Sequence, residues 1–392
     1  MMKIGYIGNN YPEKRNIIGR SKSVQYLNVS WTNFFAYLNR VNFIWKKWFN
    51  VKFFKAEYYR YCNWLPVKVD GIHFFNSISI GNVRHIITFE TLLPYFWVVK
   101  NDYKDQGNLQ SVMQDTNVTK ALHSLVSPHC MLIIAMSENT RMNQLQFMDL
   151  YPHWRPVLEK KMRVLHPPQE VFGMSESKKS NPACFELIFV GRAFYRKGGK
   201  ELVAALEEVR KKHNIKLYLI SSLDPEAGWF NVQEDGIGDD LEWIAQKSWI
   251  EHHRNIPNHE VIRWMQRCHL GFLPTWQDTY GYSVLEMQAC GCPVVTTDIR
   301  SLPEINSNEV GWLIPVPKNQ WSEWDYQVLD GEENASLWLI QQLVKVIDEA
   351  LSNPMRLSEK GKASIERIQR DHDPKKHGEK LFDFYQQSFG QS

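Results

Sequence analysis

Short, unbroken apolar runs of strand length recur along this chain, separated by longer stretches of mixed character. Lys3–Ile7, Gly71–Phe75, His85–Phe89 and Met131–Met136 are such runs in the first half, each bounded by polar or turn residues. Continuous apolar runs belong to strands covered on both faces, whereas half-exposed strands alternate. Helical stretches lie between them, so the pattern predicts alternating strands and helices around a parallel sheet. A further strand is expected around Val164–Pro168. Residues 169–183 then turn to Ser, Lys and Pro with little to bury, which reads as a linker.

The alternation restarts after that linker. Strands are expected at Phe185–Val190, Lys216–Ile220, Leu270–Pro274 and Pro293–Thr297, with helices at Gly199–His213, Asn258–Cys268 and Tyr282–Cys290. Gly291 suits the end of a helix, because glycine enters the left-handed region without a Cβ clash. Beyond Asn334 two helices are expected, the last opening at Asp373-Pro374, an N-cap and first-turn pair. The predicted organisation is therefore α/β, with an N-terminal domain over 1–168, a C-terminal domain over 184–372, and a terminal helix over 373–392.

Composition narrows the class. With 46 basic and 43 acidic groups the net charge is +3, a margin that calls for no nucleic-acid partner. No apolar run reaches the length of a membrane span, and the N-terminus turns polar too soon for a signal peptide. The six cysteines lack Cys-x-x-Cys spacing, so neither zinc nor a disulfide framework is expected, and a reducing, cytoplasmic setting follows.

Two segments carry chemistry. In Phe189-Val-Gly191-Arg192-Ala-Phe-Tyr-Arg-Lys197-Gly-Gly, a buried strand runs into a glycine and two cations before a helix. Ligands of open α/β sheets lie beyond the carboxyl ends of strands, where Arg192 and Lys197 would meet a diphosphate. A solvated, charged turn is the plain alternative. In Asp278-Thr279-Tyr280-Gly281-Tyr282-Ser283-Val284-Leu-Glu286, two carboxylates stand eight positions apart across a loop–helix junction. The loop's N–H groups lie ahead of the helix, free to meet an anion or hydroxyls. Read blandly, Asp278 caps a helix and Glu286 is an idle acid on its surface. No carboxylate or histidine cluster suggests a metal, and His252-His253 reads as a surface pair.

Together these segments resemble the retaining GT-B glycosyltransferases of the family four type, the glycosyl transferases group 1. The family's Glu-x7-Glu signature reads Asp278-x7-Glu286 here, and its G-R-x-x-x-x-K-G element matches Gly191, Arg192, Lys197 and Gly198. The resemblance implies two Rossmann-like domains facing across a cleft, a terminal helix that returns to the first domain, and transfer of a sugar from a nucleotide-diphosphate sugar, UDP or GDP, to an acceptor hydroxyl without a bound metal or other cofactor. Arg192 and Lys197 would neutralise the diphosphate, Glu286 would hold the ribose, and Asp278 with Thr279, Tyr280, Gly281, Tyr282, Ser283 and Val284 would contact the donor sugar. Two departures stand out: Asp278 replaces the family's first Glu, and Thr279 replaces the glycine after it. In the N-terminal half, Glu90 stands where the family often has a histidine and would assist a glycan or lipid-linked acceptor; a solvent-facing strand-end acid is the other reading. Gly19 loosely matches the family's phosphate-side glycine. A non-catalytic GT-B scaffold, an epimerase and a phosphorylase are the competing functions.

Residues 31–55 interleave Trp31, Phe34, Phe35, Tyr37, Phe43, Trp45, Trp48, Phe49, Phe53 and Phe54 with Arg40, Lys46, Lys47, Lys52 and Lys55. That mixture suits an anionic membrane surface on the cytoplasmic side. It equally suits a buried helix whose lysines snorkel outward.

Overall fold

The computed structural model describes residues 1–49, 59–105, 107–175, 182–223, 240 and 242–390. Chain contacts divide it into two units, Met1–Pro168 with Pro374–Ser392, and Gln169–Asp373.

Unit 1 contains strands β1 (Met2–Tyr6), β2 (Val24–Asn28), β3 (Arg60–Tyr61), β4 (Gly71–Phe75), β5 (Ile78–Ser79), β6 (His85–Phe89), β7 (Cys130–Ala135) and β8 (Met162–Val164). Six of them form a sheet in the order β2-β1-β4-β6-β7-β8, parallel throughout, while β3 and β5 pair separately. Every residue of β4 and β6 is buried, as expected of central strands covered on both faces. The strand expected at Val164–Pro168 is β8, which ends before the proline pair because proline has no N–H for the ladder.

The terminal helix Pro374–Phe389 belongs to unit 1. Leu381, Tyr385 and Phe389 join Ile4, Ile86, Leu132 and Ile134 in one buried cluster. Gly71 lets the helix come close: a methyl there would lie 2.3 Å from the Phe389 ring. Tyr385 Oη also lies 2.8 Å from His73 Nδ1, and Thr88 Oγ1 lies 2.8 Å from the other ring nitrogen. Burial, with a smaller contribution from the charge of His377, depresses the His73 pKa to about 3, so this histidine is neutral.

Unit 2 carries β9 (Phe185–Val190), β10 (Ile215–Ile220), β11 (Ile250–His253), β12 (Leu270–Leu273), β13 (Val294–Thr297) and β14 (Trp312–Ile314). They form a parallel sheet in the order β11-β10-β9-β12-β13-β14. His252 and His253, expected as a surface pair, lie half-buried on edge strand β11; His252 Nε2 is 2.9 Å from the Ser221 carbonyl. The helix expected over Gly199–His213 ends at Val209. Where two helices were expected beyond Asn334, there are three: Glu332–Ser352, Pro354–Asp371 and Pro374–Phe389. Asn353 makes the extra break, since its side chain caps the Arg356 N–H and Pro354 opens the next helix.

In both sheets the chain reverses its direction of travel across the sheet once. The reversal falls between β1 and β4 in unit 1 and between β9 and β12 in unit 2. The crevice beyond the strand ends at such a reversal is where open α/β sheets bind ligands.

Candidate functional site

At the unit 2 reversal, the loops after β9 and β12 are locked together. Gly198 takes φ +73° at the start of the helix Gly199–Val209, and a methyl on it would come within 2.1 Å of the Pro274 carbonyl oxygen. The Arg196 carbonyl accepts hydrogen bonds from Thr275 Oγ1 and Trp276 N–H, both at 3.0 Å. Arg196 Nη1 in turn donates to the Gln277 carbonyl at 3.1 Å. Gly191 has its own role: a methyl there would be 2.6 Å from Lys197 Cδ, so glycine lets the lysine stem fold over the strand end.

That stem delivers Lys197 Nζ to Asp278 Oδ2 at 2.9 Å. Asp278 is buried, and its other oxygen accepts the Tyr280 N–H at 3.3 Å. Burial pushes this carboxyl up, but the Lys197 ammonium, its hydrogen bond, the nearby Arg196 charge and the Tyr280 N–H outweigh it. The net pKa lies below the ordinary value, and Asp278 is ionised. Arg192 is exposed, and its guanidinium has no partner among the described residues. Its carbonyl is held by Ser221 and Ser222 hydroxyls at 3.3 and 3.2 Å.

The loop between Asp278 and the helix Tyr282–Ala289 is fixed from behind. Arg300 Nη1 donates to the Asp278 carbonyl at 3.1 Å, and Ser301 Oγ donates to the carbonyls of Thr279 and Tyr280 at 3.3 and 3.1 Å. In a planar trans peptide the N–H points opposite to the carbonyl. Drawing these three carbonyls toward Arg300 and Ser301 therefore turns the Thr279, Tyr280 and Gly281 N–H groups the other way. The Tyr280 N–H serves Asp278, while those of Thr279 and Gly281 have no acceptor among the described residues. Gly281 is needed there, at φ +91° and with Leu302 Cδ2 only 2.8 Å from where a methyl would sit. Arg300 is itself anchored by an ion pair with Glu323, both side chains being largely buried.

The structure thus brings Gly191, Arg192, Lys197, Asp278, Thr279, Tyr280, Gly281, Tyr282 and Ser283 to one sheet edge. Glu286 is half-buried, on the helix that follows. Ser283 Oγ is buried with no hydrogen-bond partner among the described residues. Val284 differs from expectation: its N–H is spent on the Gly281 carbonyl at 2.9 Å and its side chain is fully buried, so it has nothing to offer a ligand. Sequence reasoning missed Arg300, Ser301 and Glu323. The one available signal was that Arg300-Ser301 closely follows a strand at the same sheet edge.

Glu90 and Gly19 lie in unit 1. Glu90 follows β6 and exchanges two hydrogen bonds with Asn76, Nδ2 to Oε1 at 3.1 Å and N–H to Oδ1 at 3.2 Å. Gly19 is exposed and lies beyond the helix Tyr11–Asn16; the glycine in the loop directly after β1 is Gly8. Among the described residues no group of three or more His, Cys, Asp or Glu could hold a metal ion, and no helix is long and apolar enough to cross a membrane.

Similarity to known proteins falls on the same part of the chain. Residues 184–324 match the family profile described as glycosyl transferases group 1. The D-inositol 3-phosphate glycosyltransferase of Paenarthrobacter aurescens is 27% identical over 155 residues, 37% of this chain and 36% of that protein. Such matches span about a third of the curated relatives' own length. Among solved structures, sucrose-phosphate synthase from Thermosynechococcus elongatus superimposes with a TM-score of 0.61 over 100% of both chains at 15% identity. Anabaena Alr3699/HepE, solved with UDP and glucose, gives 0.58 over 98% of this chain and 99% of that one at 13% identity. The chain has the GT-B fold, and its residues 184–324 are similar to the glycosyl transferases group 1.

Proposed function

We propose that the protein is a retaining glycosyltransferase that moves a sugar from a nucleoside diphosphate sugar, UDP or GDP based, to an acceptor hydroxyl. The observation that carries this reading is the Lys197–Asp278 pair at the unit 2 reversal, beside the exposed Arg192, which has no partner among the described residues. Cations suit a diphosphate and a carboxylate suits sugar hydroxyls, so one sheet edge offers complements to both halves of the donor. Before the donor binds, Asp278 is the counter-ion of Lys197. When the diphosphate enters, the ammonium gains a stronger anionic partner and Asp278 turns its acceptor oxygens to the sugar.

In the reaction the bond from the anomeric carbon to the diphosphate oxygen breaks, and negative charge grows on the leaving diphosphate. Lys197, Arg192 and the N–H groups of Thr279 and Gly281 stabilise that charge without a bound metal. The acceptor oxygen bonds to the anomeric carbon on the face the diphosphate leaves. Its proton passes to a diphosphate oxygen, so configuration is retained. Glu286 holds the ribose hydroxyls and Glu90, in unit 1, assists the acceptor hydroxyl.

The acceptor in this reading is a glycan or lipid-linked and the protein works at the cytoplasmic face of a membrane. Support comes from the helix Phe34–Phe49, where Phe34, Tyr37, Phe43, Ile44, Trp45 and Trp48 are exposed alongside Arg40 and Lys47. No Asp or Glu occurs between residues 31 and 55, so the segment offers an anionic surface only attraction. Phe53, Phe54, Lys52 and Lys55 lie outside the described residues. Incubation with UDP- and GDP-sugars, with proton NMR following the anomeric signal, tests the catalytic reading. Release of nucleoside diphosphate with an unchanged anomeric configuration, surviving a chelator, supports it. An inverted product or absence of turnover with any donor contradicts it.

A further inference from the structure

Among the described residues, two buried glutamates keep one oxygen without a hydrogen-bond partner. Glu13 lies at the unit 1 reversal, where a methyl on Gly8, just after β1, would meet its Oε1 at 2.5 Å. Glu201 lies in unit 2, in the first turn of the helix Gly199–Val209 and four residues beyond Lys197. An acid in a helix's first turn complements the dipole from an exposed position and gains nothing there from burial. Nor does Glu201 cap the helix. The Gly198 N–H is taken by the Tyr195 carbonyl at 2.9 Å, and the carboxylate reaches to another helix, where Ser336 Oγ donates to Oε1 at 2.9 Å. Its burial, at 7% exposure, has another reason.

That reason is Trp276, whose buried indole lies against the Glu201 carboxyl. Burial raises the Glu201 pKa; its own N–H, Ser336, Trp276 and the Lys200 charge pull it back by less. Trp276 stands two residues before Asp278, and its N–H is fixed by the Arg196 carbonyl at 3.0 Å. Its ring stacks on Trp324, with centroids 4.2 Å apart and planes 18° from parallel. Trp324 follows Glu323, the anchor of Arg300, which holds the Asp278 carbonyl. Two supports of the Asp278 loop, one through its own backbone and one through Arg300, thus meet in the Trp276–Trp324 stack. Glu201 is the polar group set against Trp276 in that stack.

We propose that Glu201 is a positioning residue for the donor site: through Trp276 it holds the loop that sets Asp278 against Lys197. The contact joins the helix that follows Lys197 to the loop that carries Asp278. The two members of the ion pair are therefore tied to each other behind the site as well as within it. As a contribution to catalysis, the brace rests on the glycosyltransferase reading; as a hold on the loop it stands by itself.

The test is amide hydrogen exchange on the full chain in wild type, Glu201→Leu and Glu201→Gln. Leucine fills the space and offers no acceptor, while glutamine keeps a carbonyl oxygen for Ser336 and Trp276. The Trp276, Gln277 and Tyr280 amides are all hydrogen-bonded at this loop. They should exchange about tenfold faster in Glu201→Leu, the scale of one lost hydrogen bond, and at the wild-type rate in Glu201→Gln. A mere tie between helices would instead speed exchange within Gly199–Val209 and Glu332–Ser352 and spare the loop, and that result overturns the proposal. Trp276→Phe keeps an aromatic ring on Trp324 and removes the indole N–H. It should speed the same amides, and it decides the matter where Glu201→Leu fails to fold. Turnover of a nucleotide sugar in the same proteins separates the two claims. In Glu201→Leu, kcat should fall by about tenfold with KM near that of wild type, and Glu201→Gln should restore it. Faster loop exchange with no turnover even in wild type rejects the glycosyltransferase reading alone. Unchanged loop exchange rejects the brace alone, and faster loop exchange with kcat unchanged removes Glu201 from catalysis.

Discussion

The two sheets reverse direction in the same way and present opposite chemistry at the reversal. In unit 2 the acid is answered: Asp278 is buried against Lys197, and Arg192 stands exposed beside them. In unit 1 the acid is unanswered, with Glu13 buried and one oxygen unpartnered among the described residues. Shared topology thus fixes where ligands bind, while the side chains at the strand ends decide which charge is welcome. On the proposed reading, unit 2 suits an anion joined to a sugar.

Four changes break or sharpen that contrast. The largest effect is expected from Arg300→Met, which takes the cation from the largely buried Glu323 side chain and releases the Asp278 carbonyl. Breaking a buried pair costs about 3–5 kcal/mol, read by denaturant unfolding. The corresponding change at unit 1, Glu13→Gln, should cost nothing. Equal losses at both sites would erase the distinction.

Next comes Lys197→Met, expected to lower turnover of the donor by roughly 100- to 1000-fold, the usual consequence of removing one group that stabilises developing charge. Steady-state kinetics with a saturating nucleotide sugar checks it. A loss confined to KM would mean that Lys197 holds the ground state only.

The third difference concerns acid. His73, with a pKa of about 3, and His85 and His377, each about 4, are depressed chiefly by burial, and all three lie in unit 1. Between pH 6.5 and about 4 the unfolded chain binds their protons and the folded chain does not. Stability of unit 1 therefore falls as pH drops through that window, by about 1.4 kcal/mol per pH unit for each histidine, and is unaffected by them above it. Unit 1 amides should lose hydrogen-exchange protection at higher pH than unit 2 amides. His85→Phe should shallow the slope, and an unchanged slope would remove that histidine from the account.

The smallest effect on soluble turnover is expected from Trp48→Glu with Phe43→Glu, both in exposed positions. Sedimentation with anionic vesicles should fall while donor turnover in solution stays within about twofold, since surface changes away from a site are near neutral. Wild-type protein that ignores anionic vesicles would contradict the membrane reading.

Much of the fold was legible because buried parallel strands announce themselves: Gly71–Phe75 and His85–Phe89 are continuous apolar runs and occupy the centre of their sheet. The edge strands Val24–Asn28 and Ile250–His253 were not, since half-covered strands mix polar with apolar residues and resemble loops. The same limit applies to the sites. Lys197 and Asp278 stand at strand ends, which sequence shows, but their ion pair joins residues 81 positions apart. Arg300 reaches Asp278 across 22 positions. The unmet oxygen of Glu13 depends on burial, which no local pattern encodes.

The most direct test of the central claim is thermal unfolding of wild type, Arg192→Ala, Lys197→Met and Glu13→Gln with UDP, GDP, ADP or CMP at millimolar concentration. Ligand at about a hundred times its dissociation constant adds roughly 2.7 kcal/mol, enough to raise the midpoint by several degrees. The account predicts a rise with UDP or GDP that is kept in Glu13→Gln and lost in Arg192→Ala and Lys197→Met. A wild-type midpoint that no nucleotide moves, or a shift that survives loss of both unit 2 cations, would contradict it.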